Sequence, residues 1–134
     1  MHRLLRFAAI ASIAAAWLTS TAIAATTAQA LLASYSQAAA TRPDVKAGEA
    51  LFNATHGREW SCASCHTVNP TRGGRHASTG KPIQALAPAA GSDRFTDAAK
   101  VEKWFRRNCN DVLARECTAA EKVNLLAWLM SLTP

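Results

Sequence analysis

The chain has 134 residues, enough for one domain, and carries 15 Lys and Arg against 9 Asp and Glu for a net charge of +6. The basic residues are dispersed, with no Lys/Arg-rich run and no aromatic-laced basic stretch, which excludes a nucleic-acid-binding footprint. No internal repeat, low-complexity tract or domain boundary interrupts the chain beyond its first two dozen residues.

Residues 1–24 read as a secretory signal. Arg3 and Arg6 form a positive start, Phe7 to Leu18 is an unbroken run of apolar and small residues, and Ala22-Ile23-Ala24 is an A-x-A cleavage site. A permanent membrane anchor is the competing reading, but the run is short against the roughly 20 residues a span needs. Cleavage leaves residues 25–134 as a single domain with 13 basic and 9 acidic residues, a net charge of +4. Export implies the periplasm, an oxidising compartment in which disulfides persist.

In chain order, Ala28 to Ala40 is alanine-rich with Leu31, Leu32 and Tyr35 at helical spacing, which predicts a first helix. Arg42-Pro43 breaks it, and Asp44 is placed to cap a second helix with Leu51 and Phe52 on one face. Thr67 to Arg94 is rich in Gly, Pro, Ser and Thr and reads as a long irregular loop wrapped around something functional. A third helix is expected after a cap at Thr96, running towards Asn108. A fourth follows Thr118, which forms a capping box with Glu121, and continues through Leu125, Leu126, Leu129 and Leu132. No alternating strand is visible, so the predicted class is all-α. Four short helices and a long loop bury limited apolar area, and such a chain gains much from a large apolar cofactor at its centre.

The strongest motif is Cys62-Ala63-Ser64-Cys65-His66, which matches the C-x-x-C-H pattern of haem c attachment. Thiols at i and i+3 lie on one side of a helical turn and reach the two vinyl groups of one porphyrin, while the next histidine projects its imidazole at the iron. A zinc site would want two more ligands at tight spacing, and the other Cys and His residues are scattered. A thioredoxin-like pair would want a preceding strand. A disulfide between Cys62 and Cys65 would leave His66 without a role. The second ring N–H of His66 is expected to donate to a carbonyl of the following loop, which holds Pro70, Pro82 and Pro88.

The other side of the haem is less direct. A methionine in a loop before the last helix is the usual ligand in small cytochromes c, but the methionine outside the signal segment, Met130, falls inside the last helix beside Leu126 and Leu129. His56 and His76 are alternatives, both in polar, glycine-containing stretches that favour solvation. Val101, Trp104, Phe105 and Asn108 stand at i, i+3, i+4 and i+7, so Asn108 continues an apolar stripe. A buried amide without a partner costs about 1–3 kcal/mol. On the residues alone, Asn108 reads either as a helix-end residue bonding a neighbouring carbonyl or as a group aimed at the haem, and the former is favoured. Cys109 follows directly, and Cys117 is the cysteine left to pair with it, a staple worth about 2–3 kcal/mol.

At these residues the chain resembles the sphaeroides haem protein family of high-spin class I cytochromes c. The likeness covers nearly all of residues 25–134. It includes Gly48 with Leu51-Phe52, the C-x-x-C-H run, Thr79-Gly80-Lys81, Leu86-Ala87-Pro88, Arg94-Phe95-Thr96-Asp97 and Val101-Glu102-Lys103-Trp104. It continues with Arg107-Asn108-Cys109-Asn110, Arg115-Glu116-Cys117-Thr118 and Leu125-Leu126-Ala127-Trp128-Leu129. Ala85 departs from it, where relatives are expected to carry proline. The resemblance implies a small class I fold around one covalent haem, lined by Trp104 and Phe105 and with the disulfide beside the pocket. It also implies that Asn108 is the sixth iron ligand, binding ferric iron weakly through its amide oxygen and leaving on reduction to free the site for oxygen, nitric oxide or carbon monoxide. A dihaem cytochrome c or a membrane cytochrome b is the implied electron donor.

An amide oxygen is a hard, weak donor, suited to ferric rather than ferrous iron, whereas thioether or imidazole holds both states. The leading expectation is therefore a periplasmic haem protein that accepts electrons and binds a diatomic gas. A plain electron-transfer cytochrome with permanent six-coordination is the alternative, and an oxygen reductase or nitric oxide dioxygenase is a third reading. The latter finds no support in a general acid near Asn108 on its own helix face. Lys100, Lys103 and Arg107 form a basic stripe on the third helix that either docks an acidic partner or is simply solvated.

Overall fold

The computed structural model describes residues 27–91 and 93–134. The signal segment expected at residues 1–24 lies outside them. Among the described residues, no helix is long and apolar enough to cross a membrane.

The first helix, α1 (Ala28–Ala39), starts at Thr27, whose hydroxyl accepts from the Ala30 N–H at 3.1 Å. It ends where Ala40 takes a left-handed conformation. Helix α2 (Val45–Asn53) is capped by Asp44, as expected, with the carboxylate accepting from the Ala47 N–H at 3.0 Å. A single turn, α3 (Ala63–His66), follows.

The loop after it is not wholly irregular. Gly74–Arg75 (β1) and Pro82–Ile83 (β2) pair antiparallel, Gly74 opposite Ile83 and Arg75 opposite Pro82. Two residues per strand are too few for alternation to register in a sequence, so the all-α expectation misses this hairpin while the fold remains mostly helical. Glycine is required at Gly74 because a Cβ there would run into the Cys65 carbonyl oxygen. A 3-10 turn at Pro88–Ala90 leads towards α4 (Ala98–Leu113).

Helix α4 differs from expectation at both ends. Its cap is Asp97, which accepts from the Lys100 N–H at 3.0 Å, while the Thr96 hydroxyl donates instead to the Asp93 carbonyl at 2.7 Å. The helix also runs past Asn108 to Leu113, because Cys109 and Val112 continue its buried face. Helix α5 (Ala119–Ser131) begins with the Thr118/Glu121 capping box read from the sequence.

Helix α5 is the centre of the protein, packed by both α1 and α2. Val123 and Leu126 are fully buried, and Leu125, Trp128 and Leu129 nearly so. Each such side chain contributes about 1.5–3 kcal/mol by leaving water. Phe52 of α2 meets Trp128 with ring centroids 4.6 Å apart. The two helices approach closely at Gly48, where a Cβ would strike the Asn124 carbonyl and Trp128 Cβ. Asn124 Oδ1 also accepts from the Asp44 N–H at 2.8 Å, fixing the start of α2 against α5.

Candidate haem site

Cys62 is the residue from which α3 winds, and Cys65 and His66 both donate their backbone N–H to its carbonyl, at 3.3 and 3.1 Å. The turn thus holds the two thiols on one side, both half-buried and neither disulfide-bonded. It stops because Thr67 has φ of 63°, costly for a β-branched residue and held by a hydroxyl that donates to the Asn69 carbonyl at 2.9 Å. The Ala77 N–H reaches Cys65 Sγ at 3.2 Å, so the hairpin packs onto the attachment turn.

A cavity of about 660 Å³ opens over this turn, within the roughly 300–1,000 Å³ typical of ligand pockets. Cys62, Cys65 and His66 form one wall, Val101, Trp104, Phe105 and Asn108 of α4 form another, and Leu86 and Phe95 belong to the loop side. Every site residue expected from the sequence is brought to this one cavity. The disulfide Cys109–Cys117 forms, with Cα atoms 5.5 Å apart, and both cysteines border the same space.

Burial sets the chemistry of the attachment turn. It pushes the Cys62 thiol up to about 11, with a smaller contribution from Cys65. It also depresses His66 to about 4, and the positive charge of Arg94 adds to that effect. The imidazole is therefore neutral at physiological pH, the form in which a ring nitrogen can bind a metal. The His66 ring packs against Phe52, with centroids 6.4 Å apart. The expected hydrogen bond from His66 to a loop carbonyl is not formed among the described residues, and the Pro70 carbonyl is taken instead by the N–H groups of Leu86 and Ala87 at 2.9 and 3.0 Å.

Asn108 is the main correction on α4. It does not continue a buried stripe: Val101 is buried, Phe105 half-buried, Trp104 42% exposed and Asn108 exposed. The reason is that this helix face forms a cavity wall rather than a contact with another helix. Phe105 is fixed from behind by Tyr35, at 6.0 Å and edge-on, and by the Lys122 ammonium at 5.8 Å from its ring. Lys122 is in turn paired with Glu102 at 2.7 Å.

Of the alternative ligands, Met130 packs against the hydrophobic core and is absent from the cavity wall. His56 also lies off it, its Nε2 2.9 Å from the Leu51 carbonyl oxygen. His76 does reach the cavity, but its Nδ1 accepts from the Thr79 N–H at 3.3 Å, and its chain neighbour Ala77 is bonded to Cys65, on the attachment side. Among the described residues, no group of three or more His, Cys, Asp and Glu could hold a metal ion by itself, so the zinc reading has no ligand set.

Among the wall residues that the sequence reading did not single out are Trp60 and Asp111, and Arg94 entered it only as part of the Arg94-Phe95-Thr96-Asp97 run, with no role in the pocket. Asp111 stands one turn beyond Asn108 on the same helix, so an acidic group does lie near Asn108. Its i+3 spacing was the available signal once α4 is extended past residue 108.

A family model described as a domain of unknown function, DUF1924, matches residues 38–129. The cytochrome c-type protein SHP of Cereibacter sphaeroides is 50% identical over 103 residues, 74% of this chain and 79% of that protein. The chain belongs to the sphaeroides haem protein family. Its fold matches the structure of oxidised SHP, an oxygen-binding cytochrome c, with a TM-score of 0.75 and 46% identity over 81% of this chain and 99% of that one. It also matches the solution structure of cytochrome c'' from Methylophilus methylotrophus, which gives insights into the structural basis of haem-ligand detachment. That match has a TM-score of 0.72 and 37% identity over 80% of this chain and 94% of the other. As a member of the family this chain is a c-type cytochrome with one covalent haem, and the residues present fit that group. Cys62 and Cys65 match the attachment motif, the walls are largely apolar, and the exposed face of Trp104 borders the space.

Proposed function

We propose that this chain is a periplasmic cytochrome that accepts electrons and binds a diatomic gas at a position that Asn108 occupies in the oxidised state and gives up on reduction. The observation that carries the reading is that Asn108 and His66 border one cavity, while Met130 and His56 do not.

Bound haem supplies an iron that changes oxidation state and takes ligands on both faces. Cys62 and Cys65 would anchor the ring, and the neutral His66 imidazole would supply a nitrogen ligand to its iron. Asn108 presents an amide oxygen from α4, and no hydrogen bond holds its side chain among the described residues. A hard, neutral oxygen donor suits ferric rather than ferrous iron, so Asn108 would hold the oxidised haem and, on reduction, would leave its position open to oxygen, nitric oxide or carbon monoxide. Cys109, tied to Cys117, fixes the backbone beside it. Trp104 and Phe105 keep the pocket apolar, which favours an uncharged gas.

The detachment described for cytochrome c'' and the oxygen binding of SHP support this reading. Cleavage after Ala24 would deliver residues 25–134 to the periplasm, where the Cys109–Cys117 disulfide is stable. Lys100, Lys103 and Arg107 are exposed on α4 and offer a basic face to an acidic electron donor such as a dihaem cytochrome c or membrane cytochrome b.

Optical spectra of the purified protein, oxidised and reduced, with and without carbon monoxide, test the proposal. A reduced high-spin haem that takes up carbon monoxide is expected. A low-spin reduced haem that ignores it would instead establish a plain electron carrier with a permanent sixth ligand.

A further inference from the structure

Arg94 is a cation half-buried on the wall of a largely apolar cavity. One edge of its guanidinium is held by two successive loop carbonyls: Nε donates to Ala85 at 3.1 Å and Nη2 to Gln84 at 3.3 Å. A guanidinium carries five N–H groups, so two anchors leave three, on Nη1 and Nη2. Both anchors are neutral. Among the described residues the ion pairs are Arg115–Glu121 and Lys122–Glu102, and neither involves Arg94. A charge withdrawn from water without a countercharge is costly, and a polypeptide that retains one in a pocket has a use for it.

The group this cavity accommodates carries anions of its own, because a haem has two propionate carboxylates. We propose that Arg94 is the binding site for a haem propionate, gripping one carboxylate with the free Nη1 and Nη2 edge of its guanidinium. The inference rests on the haem assignment above but not on Asn108. Arginine suits this task better than lysine, because its planar fork bonds both carboxylate oxygens while its other edge stays on the loop. Arg94 then does two things at once. It pins the 84–85 segment to the cofactor, and it places a positive charge that favours the reduced haem and keeps the propionate ionised.

The test is the reduction potential as a function of pH for the haem-loaded native protein, Arg94→Gln and Arg94→Lys, with the mass of one attached haem verified in each sample. Arg94→Gln should lower the potential and move the pH at which it bends upwards, because an unpaired propionate protonates more readily. Arg94→Lys, which keeps the charge without the fork, should fall between the two. A residue that merely tethered the loop would leave the bend where it is, so superimposable native and Arg94→Gln profiles would overturn the proposal. If Arg94→Gln does not fold, redox-difference infrared spectra of native protein with isotope-labelled haem carboxylates decide the matter. A carboxylate band displaced by guanidinium bonding supports the site, and two bands of freely solvated carboxylate refute it.

Discussion

His66 and Asn108 border the same cavity from different elements, the end of α3 and the middle of α4, separated by the hairpin and the long loop. The imidazole is half-buried and held neutral, whereas the amide is exposed on the cavity wall and no hydrogen bond holds it among the described residues. That asymmetry suits one permanent and one labile ligand.

Substitutions at Asn108 separate the two roles. Asn108→Ala should leave ferric iron open or water-bound while barely changing carbon monoxide binding to the reduced form. Asn108→His should give a low-spin haem in both oxidation states and suppress gas uptake, because imidazole holds ferrous iron as well as ferric. Both outcomes are read from visible spectra, and carbon monoxide binding by a reduced Asn108→His protein equal to that of the native chain would refute the ligand assignment.

The Cys109–Cys117 bridge should resist alkylation until reductant is added. Replacing both cysteines with serine should cost about 2.5 kcal/mol in denaturant unfolding, from the closure entropy of a loop with sequence separation 8. It should also weaken sixth ligation of the ferric haem, since Cys109 holds the helix turn carrying Asn108. Thiols that react freely in the native oxidised protein would show the bridge to be absent.

Gly48 tests the packing that supports the site. A methyl group there would push against the Asn124 carbonyl and Trp128, so Gly48→Ala should destabilise the protein by about 1–3 kcal/mol through overpacking. Its haem spectrum should be unchanged. A melting temperature equal to that of the native protein would mean that α2 and α5 are not so close.

Glu121 gives a pH dependence with a defined sign. Its carboxylate takes two N–H bonds from Arg115, at 2.7 and 2.8 Å, and one from the Thr118 backbone, and these hold it down at about 2 from an ordinary 4.5. A depressed value in the folded state means that the stabilisation is fully present above about 4.5 and is lost as pH falls through about 2. Glu121→Gln should therefore melt below the native protein at neutral pH, with the gap closing over that window. A gap independent of pH would show that the charge contributes nothing.

Much of this was legible in the residues themselves because the signals are local. The C-x-x-C-H turn, the Asp44 cap and the Thr118/Glu121 box each depend on groups within a few positions of one another, and all three form as read. The Cys109–Cys117 pairing also followed from counting cysteines.

Tertiary structure decided the rest. The end of α4 depends on Cys109 and Val112 finding the core, so an asparagine that resembled a helix end lies in mid-helix. Trp104 and Asn108 share a period with buried Val101 yet stay open, because periodicity reports which face turns inwards and not whether a helix or a cavity meets it. Nothing local placed Arg94 on the wall with His66, and the spacing of Asp111 from Asn108 became informative only once α4 was seen to run past residue 108. The sequence determined which residues attach the haem and which segments are helical. The surroundings of that haem were set only when segments far apart in the chain packed around α5, since nonlocal packing fixes a cavity wall and short-range spacing does not.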